Sequence, residues 1–291
     1  MRNDTSETGA KGGLHRVAHL SDLHFGAEIP EVVDALAEAL NHDPPDLIAI
    51  SGDLTMRART AEFRAARAFI DRLRAPVMAV PGNHDIVGYW MAERFLDPFA
   101  RWRQFIGPET EPVFQDGRIG VVGLNTARRA GFYLDWSRGR VGSGRLARCL
   151  ARLEELPPDL LRIVVAHHPF LPPRAAPESR LVGGAARALE GFARQGVRLV
   201  LSGHLHVGDV AEPAAVVPDD AARGQLTVVL SATSTSHRLR GEPNAYNEIR
   251  IAPGGQVEIL ARSWDGAGWA VAAPQRTDAA PAEILMPTLP G

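Results

Sequence analysis

The sequence predicts an α/β protein. Short apolar runs of strand length alternate with longer stretches of helical period, the pattern of βαβ units whose helices pack on the faces of sheets. Towards the end of the chain three apolar runs follow one another without an intervening helix, which adds antiparallel strands to the expectation.

In chain order, residues 16–20 read as a strand and 30–41 as a helix with Val32, Val33, Leu36 and Leu40 on one side. Residues 47–50 form the next strand. A helix over 60–74 follows, spaced by Phe63, Ala66, Phe69, Ile70 and Leu73, and a third strand over 77–80 is stopped by Pro81-Gly82. Residues 89–105 are unusually aromatic for a chain with 6% aromatic residues and read as an inserted helical segment, core or a dimer interface being the plainer reading and a border of the entrance the other. Further strands are expected near 119–124, 163–166 and 199–202, with helices over 143–156 and 183–195. The closing antiparallel strands are 226–230, 246–251 and 257–261. Residues 1–13 and the Ala/Pro-rich 273–291 read as flexible tails around one folded unit, 14–272, that carries the aromatic insertion around 89–106.

The chain has 291 residues, 45% of them hydrophobic and 23% charged, enough to bury a full core. Lys+Arg total 32 against 34 Asp+Glu, so a net charge of -2 offers no field for nucleic acid or anionic lipid. Lys11 is the sole lysine, and the positive charge is otherwise arginine. One cysteine, Cys149, excludes an internal disulfide, a Cys-based zinc site and an iron–sulfur cluster, and its place is a helix face. No apolar run approaches the ~18 residues of a membrane span, and residues 1–13 lack the apolar core of a secretory signal; the expected compartment is the cytoplasm, with no integral membrane contact.

The chemistry lies where polar residues meet strand ends. Five strands run into metal-capable groups: Ser21-Asp22-Leu23-His24, Ser51-Gly52-Asp53, Gly82-Asn83-His84-Asp85, His167-His168-Pro169 and Gly203-His204-Leu205-His206. Ligands of α/β sheets bind beyond the carboxyl ends of the strands, so neighbouring strands bring these groups together. Each group alone has an ordinary reading, Asp-x-His as a surface pair and Gly-Asn-His-Asp as a turn; five at strand ends in one chain do not. Asp22 and His24, two residues apart, share a metal only if the turn rotates one of them back, and Gly26, Gly52, Gly82 and Gly203 supply conformational freedom beside the clusters. Carboxylate, imidazole and amide donors without a thiolate select Mn, Fe, Zn or Co. Asp22, His24, Asp53, Asn83, His167, His204 and His206 are too many for one ion and suit two, ~3.5–4 Å apart with one carboxylate bridging.

In this order the five motifs, over residues 16–207, resemble the calcineurin-like metallophosphoesterase family, and most closely its bacterial branch of class III cyclic-nucleotide and glycerophosphodiester phosphodiesterases. The resemblance implies a four-layer sandwich of two mixed β-sheets flanked by helices. It implies that Asp22, His24 and His206 hold one divalent ion, that Asn83, His167 and His204 hold a second, and that Asp53 bridges them. His84 would hydrogen-bond the phosphate and help protonate the leaving oxygen, with Asp85 orienting it; His167 is preferred to His168 because it stands two residues before Pro169. The implied reaction is hydrolysis of a small phosphodiester by a hydroxide bridging the two ions, with a 3′,5′-cyclic nucleotide as lead substrate and a glycerophosphodiester next. A lipid-linked pyrophosphate suits the aromatic segment, but that branch carries Arg where this chain has His84. A non-catalytic metal-binding scaffold is the competing reading of another class, and no ligand of the pattern is lost here. Ser/His/Asp hydrolysis lacks its Gly-x-Ser-x-Gly elbow. Arg128, after the strand ending near Asn125, and Arg174, after the His167 strand, are the candidates for contacts to substrate, ordinary surface arginines being the plainer reading. His19 and His237 read as a strand interior and a surface loop, and a homodimer is left open.

Overall fold

The computed structural model describes residues 13–87, 91–128, 137–213 and 226–272. The chain runs β1 (His15–Leu20), α1 (Pro30–His42), β2 (Leu47–Ile50), α2 (Thr60–Arg72), β3 (Val77–Ala79), α3 (Met91–Leu96), α4 (Ala100–Phe105), β4 (Val113–Gln115) and β5 (Ile119–Leu124). It continues through α5 (Ser143–Glu155), β6 (Leu161–Ala166), α6 (Ala185–Arg194), β7 (Val197–Ser202), β8 (Asp209–Ala211), β9 (Thr227–Leu230), β10 (Ala245–Ile251), β11 (Val257–Trp264) and β12 (Trp269–Val271). Two six-stranded mixed sheets result, in the orders β12-β11-β10-β1-β2-β3 and β4-β5-β6-β7-β9-β8.

The period of two along each strand builds the layers. Val17, Leu47, Ala49, Ile163, Val165, Leu199 and Leu201 meet in the core between the two sheets. Their strand neighbours Ala18, Leu20, Ile48 and Ile50 face outward onto Leu36, Phe63 and Phe69 of α1 and α2. On the other side Val164, Ala166 and Val200 lie under Leu146, Leu153, Leu189 and Phe192 of α5 and α6. Strands buried on both faces therefore read as continuous apolar runs, and the arrangement is helix, sheet, sheet, helix. Cys149 is buried on α5, as its spacing implies. Helix α1 starts at Pro30, whose missing N–H costs nothing there. The Glu62 carboxylate caps α2 by accepting from the Arg57 and Arg59 amides at 2.7 and 3.1 Å.

Two expectations change. The strand at 227–230 pairs antiparallel with β8 but parallel with β7 on its other side, because it returns to the second sheet; β10 and β11 are antiparallel as expected. The aromatic segment is two short helices, with Phe99 and Trp102 in the core and Phe105 stacked on Phe63, ring centroids 6.2 Å apart. Its described part thus packs over α2 and lines no part of the cleft described below. Tyr89 and Trp90, residues 1–12 of the leading tail and the segment 273–291 lie outside the described residues.

Candidate metal centre and active site

The five motif strands converge at one edge of the sandwich and place the seven candidate donors in two adjoining clusters. In the first, the Asp22 carboxylate after β1 has Oδ1 3.3 Å from His206 Nε2 and 3.5 Å from His24 Nε2. The two imidazole nitrogens are 3.2 Å apart. In the second, His167 Nε2 lies 3.2 Å from Asn83 Oδ1, 3.2 Å from His204 Nδ1 and 3.3 Å from Asp53 Oδ2. Asp53 Oδ2 is also 3.8 Å from His24 Nε2, so this carboxylate stands between the clusters.

The local backbone explains how residues two apart face one point. Among the described residues six non-glycine residues take positive φ, and five are Asp22, His24, Asp53, His204 and His206, at +53°, +50°, +53°, +75° and +60°. Asp and His tolerate this region better than most side chains, and such strain concentrates at functional sites. The donor residues themselves make the turns. Gly82 and Gly203, expected to supply freedom, supply space: a Cβ on Gly82 would lie 2.0 Å from Asp53 Oδ1, and one on Gly203 1.8 Å from Ser21 Oγ.

Ring orientation is fixed from behind. His24 Nδ1 faces the Thr55 carbonyl at 3.3 Å, His167 Nδ1 the Ser51 carbonyl at 2.8 Å and His206 Nδ1 the Arg238 carbonyl at 2.7 Å. A carbonyl only accepts, so each Nδ1 carries the proton and each Nε2 presents a lone pair inward, as metal-ligating histidines do. Asp22 Oδ1 is buried without a hydrogen-bond partner among these lone pairs. Electron-rich atoms crowded at this spacing in a dry site call for a cation, and the donor set fits divalent ions.

The electrostatics show how strongly these groups act on one another. Burial opposes the Asp22 charge, yet His206 and His24 hold its carboxyl well below the usual range. Asp53 is likewise lowered against burial by His167 and His84. His167 is lifted to about 9, burial being outweighed by Asp53, whereas burial and the charge of His167 push His204 down to about 4.

The expected roles of the remaining residues need adjusting. Asp85 does not hold the His84 ring: its carboxylate accepts from the amides of Leu54, Thr55 and Gly82 at 3.2, 2.9 and 2.9 Å and from Thr55 Oγ1 at 2.9 Å. It ties the β2 and β3 loops together, and burial followed by the Asp53 charge raises it to about 6. His84 is oriented by the Met56 carbonyl, 2.6 Å from Nδ1, while its amide donates to Asp53 Oδ1 at 2.9 Å. His168 has both ring nitrogens engaged, by Thr126 Oγ1 at 2.7 Å and the Ser137 carbonyl at 2.8 Å, which leaves His167 as the donor. Arg174 is bound to Asp209 through its amide and Nε at 2.8 and 2.9 Å, and neither it nor Arg128 lines the cleft. His19 is a buried strand residue beside Ser51, pushed down to about 3 by burial, and His237 is exposed.

Reading motifs along the chain misses the loop after β9. Its buried run Ser231–Ser236 straps the Asp22–His24 turn: Thr233 Oγ1 donates to the Asp22 carbonyl at 2.7 Å, Thr235 Oγ1 to the Leu23 carbonyl at 2.8 Å, and Ser234 Oγ accepts from the Ser21 amide at 3.1 Å. The same loop delivers Arg238, which with Arg240, Asn83, His84 and His204 lines a cleft of about 530 Å³. The signal available beforehand was the alternation of Ser and Thr directly after a strand.

Comparison with known proteins agrees with this geometry. The family model of the calcineurin-like phosphoesterases matches residues 15–208. A probable cyclic nucleotide phosphodiesterase of Synechococcus is 28% identical over 207 residues, covering 65% of this chain and 72% of that protein. The glycerophosphodiester phosphodiesterase GpdQ of Enterobacter lignolyticus is 34% identical over 80 residues, 24% of this chain and 29% of that one. The fold recurs in a purple acid phosphatase from yellow lupin at TM-score 0.67 and 11% identity, covering 90% of this chain and 53% of that one. It recurs also in a dimetal phosphatase from Danio rerio at TM-score 0.61 and 10% identity, covering 89% and 98%. The chain belongs to the calcineurin-like phosphoesterase family and is a metal-dependent phosphoric ester hydrolase.

Proposed function

We propose that the protein is a phosphodiesterase that hydrolyses a small diester on two divalent ions, with a 3′,5′-cyclic nucleotide as lead substrate. The observation that carries this reading is the pair of donor clusters sharing Asp53: Asp22, His24 and His206 on one side, Asn83, His167 and His204 on the other. When bound, two such ions acidify a water and neutralise charge on the phosphoryl oxygens; Mn, Fe, Zn and Co suit the donors. The chain's residues do the rest. Asp53 keeps the clusters in register, and His84 presents Nε2 to the cleft beside them with its ring fixed by Met56. With Nδ1 donating to the Met56 carbonyl, that nitrogen donates to a phosphoryl oxygen or the leaving oxygen when the ring is protonated, the form a general acid requires. A cleft of about 530 Å³ falls within the size range of small-molecule sites. Among the described residues no helix is long and apolar enough to cross a membrane.

The segment shared with a glycerophosphodiester phosphodiesterase supports a glycerophosphodiester as the second reading. The test is hydrolysis of bis(p-nitrophenyl) phosphate beside p-nitrophenyl phosphate by metal-loaded protein, with and without chelator, followed by a panel of cyclic nucleotides and glycerophosphodiesters. A chelator-sensitive preference for the diester is expected. Preference for the monoester overturns the diesterase reading, and bound metal without hydrolysis of any ester turns it to a scaffold.

A further inference from the structure

We propose that Arg238 is a substrate-binding residue whose guanidinium takes a phosphoryl oxygen of the ester beside His84. The inference rests on the hydrolase reading for the identity of the ligand, and on the geometry for the capture of an anion. The root of the residue is part of the site: its carbonyl accepts from His206 Nδ1 at 2.7 Å, and its amide donates to Ser236 Oγ at 3.3 Å in the strap beneath Asp22. Backbone and side chain therefore serve different ends.

The half-buried side chain reaches over the donor clusters. Nη1 lies 3.2 Å from His84 Nε2, 3.4 Å from His24 Nε2 and 3.8 Å from Met56 Sδ. Among the described residues no carboxylate lies within ion-pair distance of it, and Nε and Nη2 have no partner. Arg174, Arg101 and Arg262 behave differently, each closing on Asp209, Glu93 or Glu248. A partly desolvated cation whose neighbours are imidazole nitrogen and thioether sulfur, with no carboxylate beside it among the described residues, gains most from an arriving anion. His24 Nε2 is also a donor of the first cluster, so an ion held there takes the lone pair that Nη1 faces and leaves the fork turned to His84 and the cleft. A planar fork with two unpartnered nitrogens matches phosphate oxygens better than a lysine would.

The test titrates inorganic phosphate into the metal-loaded full chain by calorimetry, with metal content measured on each variant. Arg238→Ala is expected to keep its metal, because the backbone carbonyl that holds His206 is unchanged, and to weaken phosphate roughly tenfold to hundredfold. Arg238→Lys should fall between. Arg240→Ala removes the same charge from the exposed rim of the cleft and should weaken phosphate less than threefold. The KM for bis(p-nitrophenyl) phosphate should rise in parallel with the loss of phosphate affinity. Parental phosphate affinity in Arg238→Ala, an equal loss in Arg240→Ala, or loss of metal in Arg238→Ala each overturns the proposal, pointing respectively to no contact, to long-range charge, or to a structural role. A parent that binds phosphate through Arg238 but hydrolyses only monoesters leaves this proposal standing and removes the diesterase reading.

Discussion

Gly82→Ala removes no candidate ligand, yet it should disable the metal centre. Gly82 follows β3, and its φ lies outside the left-handed region, so alanine meets no backbone penalty there. The obstacle is space: the added Cβ would stand 2.0 Å from Asp53 Oδ1, 2.6 Å from the Asp53 amide nitrogen and 2.7 Å from Asp53 Cγ. Ordinary contact requires the carboxylate to retreat by more than about 1 Å. Asp53 lies between the clusters and also accepts the His84 amide, so this displacement reaches both clusters and the ring beside them. A misplacement of about 1 Å at a catalytic group costs on the order of 10²-fold in rate. Overpacking costs about 1–3 kcal/mol, or a Tm lower by roughly 2–12 °C. The assay is metal content by mass spectrometry, Tm by calorimetry and kcat for bis(p-nitrophenyl) phosphate. Gly142→Ala is the control, since a Cβ there meets nothing within 4 Å, and it should stay within about 1 kcal/mol of the parent. A Gly82→Ala protein with parental metal content and parental kcat would show that close approach to Asp53 does not set the site.

Asp53→Asn should lose metal and activity together, because the shared carboxylate charge is gone while shape is kept; dialysis followed by metal analysis reads this directly. Asp85→Asn keeps all seven candidate donors but sets an amide among four donors now satisfied by the carboxylate, and should cost about 1–3 kcal/mol in urea unfolding. Cys149 is buried, and burial pushes its thiol up to about 12, so a thiol reagent at pH 8 should label it only as fast as the chain opens; immediate stoichiometric labelling of native protein contradicts its placement. Burial opposes the Glu248 charge, but Arg250 and Arg262, both at 2.7 Å, depress its pKa. That contribution is present above the unfolded value near ~4.3 and is lost as pH falls through the lower folded value. Glu248→Gln should thus destabilise by about 1 kcal/mol at pH 7, and the difference should close below pH ~4 in denaturant titrations.

How far the sequence could be read depended on whether each signal was local. Residues 47–50 and 119–124 stood out as strands because burial on both faces makes them continuous apolar runs. The parallel partner of 227–230 was not legible, since an apolar run is the same whichever neighbour it pairs with. Among the three-residue strands, β3 is marked by the Pro81-Gly82 stop that follows it, whereas β4, β8 and β12 carry too little pattern to register. The seven candidate donors could be picked out because carboxylate, imidazole and amide side chains at strand ends stand out by type, and the structure brings them into two adjoining clusters. Asp85 was found, but not its work: nothing in Asn83-His84-Asp85 says that the carboxylate folds back onto the amides of 54 and 55. Arg238 was missed altogether, because its place beside His84 depends on a loop more than 150 residues further along the chain.

The strained turns and the hydrogen bonds around them belong to one device. Positive φ at a non-glycine residue costs on the order of 1–3 kcal/mol and persists only when the surroundings over-determine it. Here they do. The Asp22 and Leu23 carbonyls are taken by Thr233 and Thr235, and the His204 amide by Asp22 Oδ2 at 2.8 Å. The amides after Asp53 are taken by Asp85, and the His206 ring is anchored on Arg238. None of these bonds uses a lone pair that points at the cluster centres, so the inward donors are left for the cation. A site built this way has its turns held in shape by the protein's own hydrogen bonds. The same reasoning explains why the glycines matter by what they lack: with Cβ atoms at 82 and 203, the carboxylates of Asp53 and Asp22 could not approach the loops that hold them.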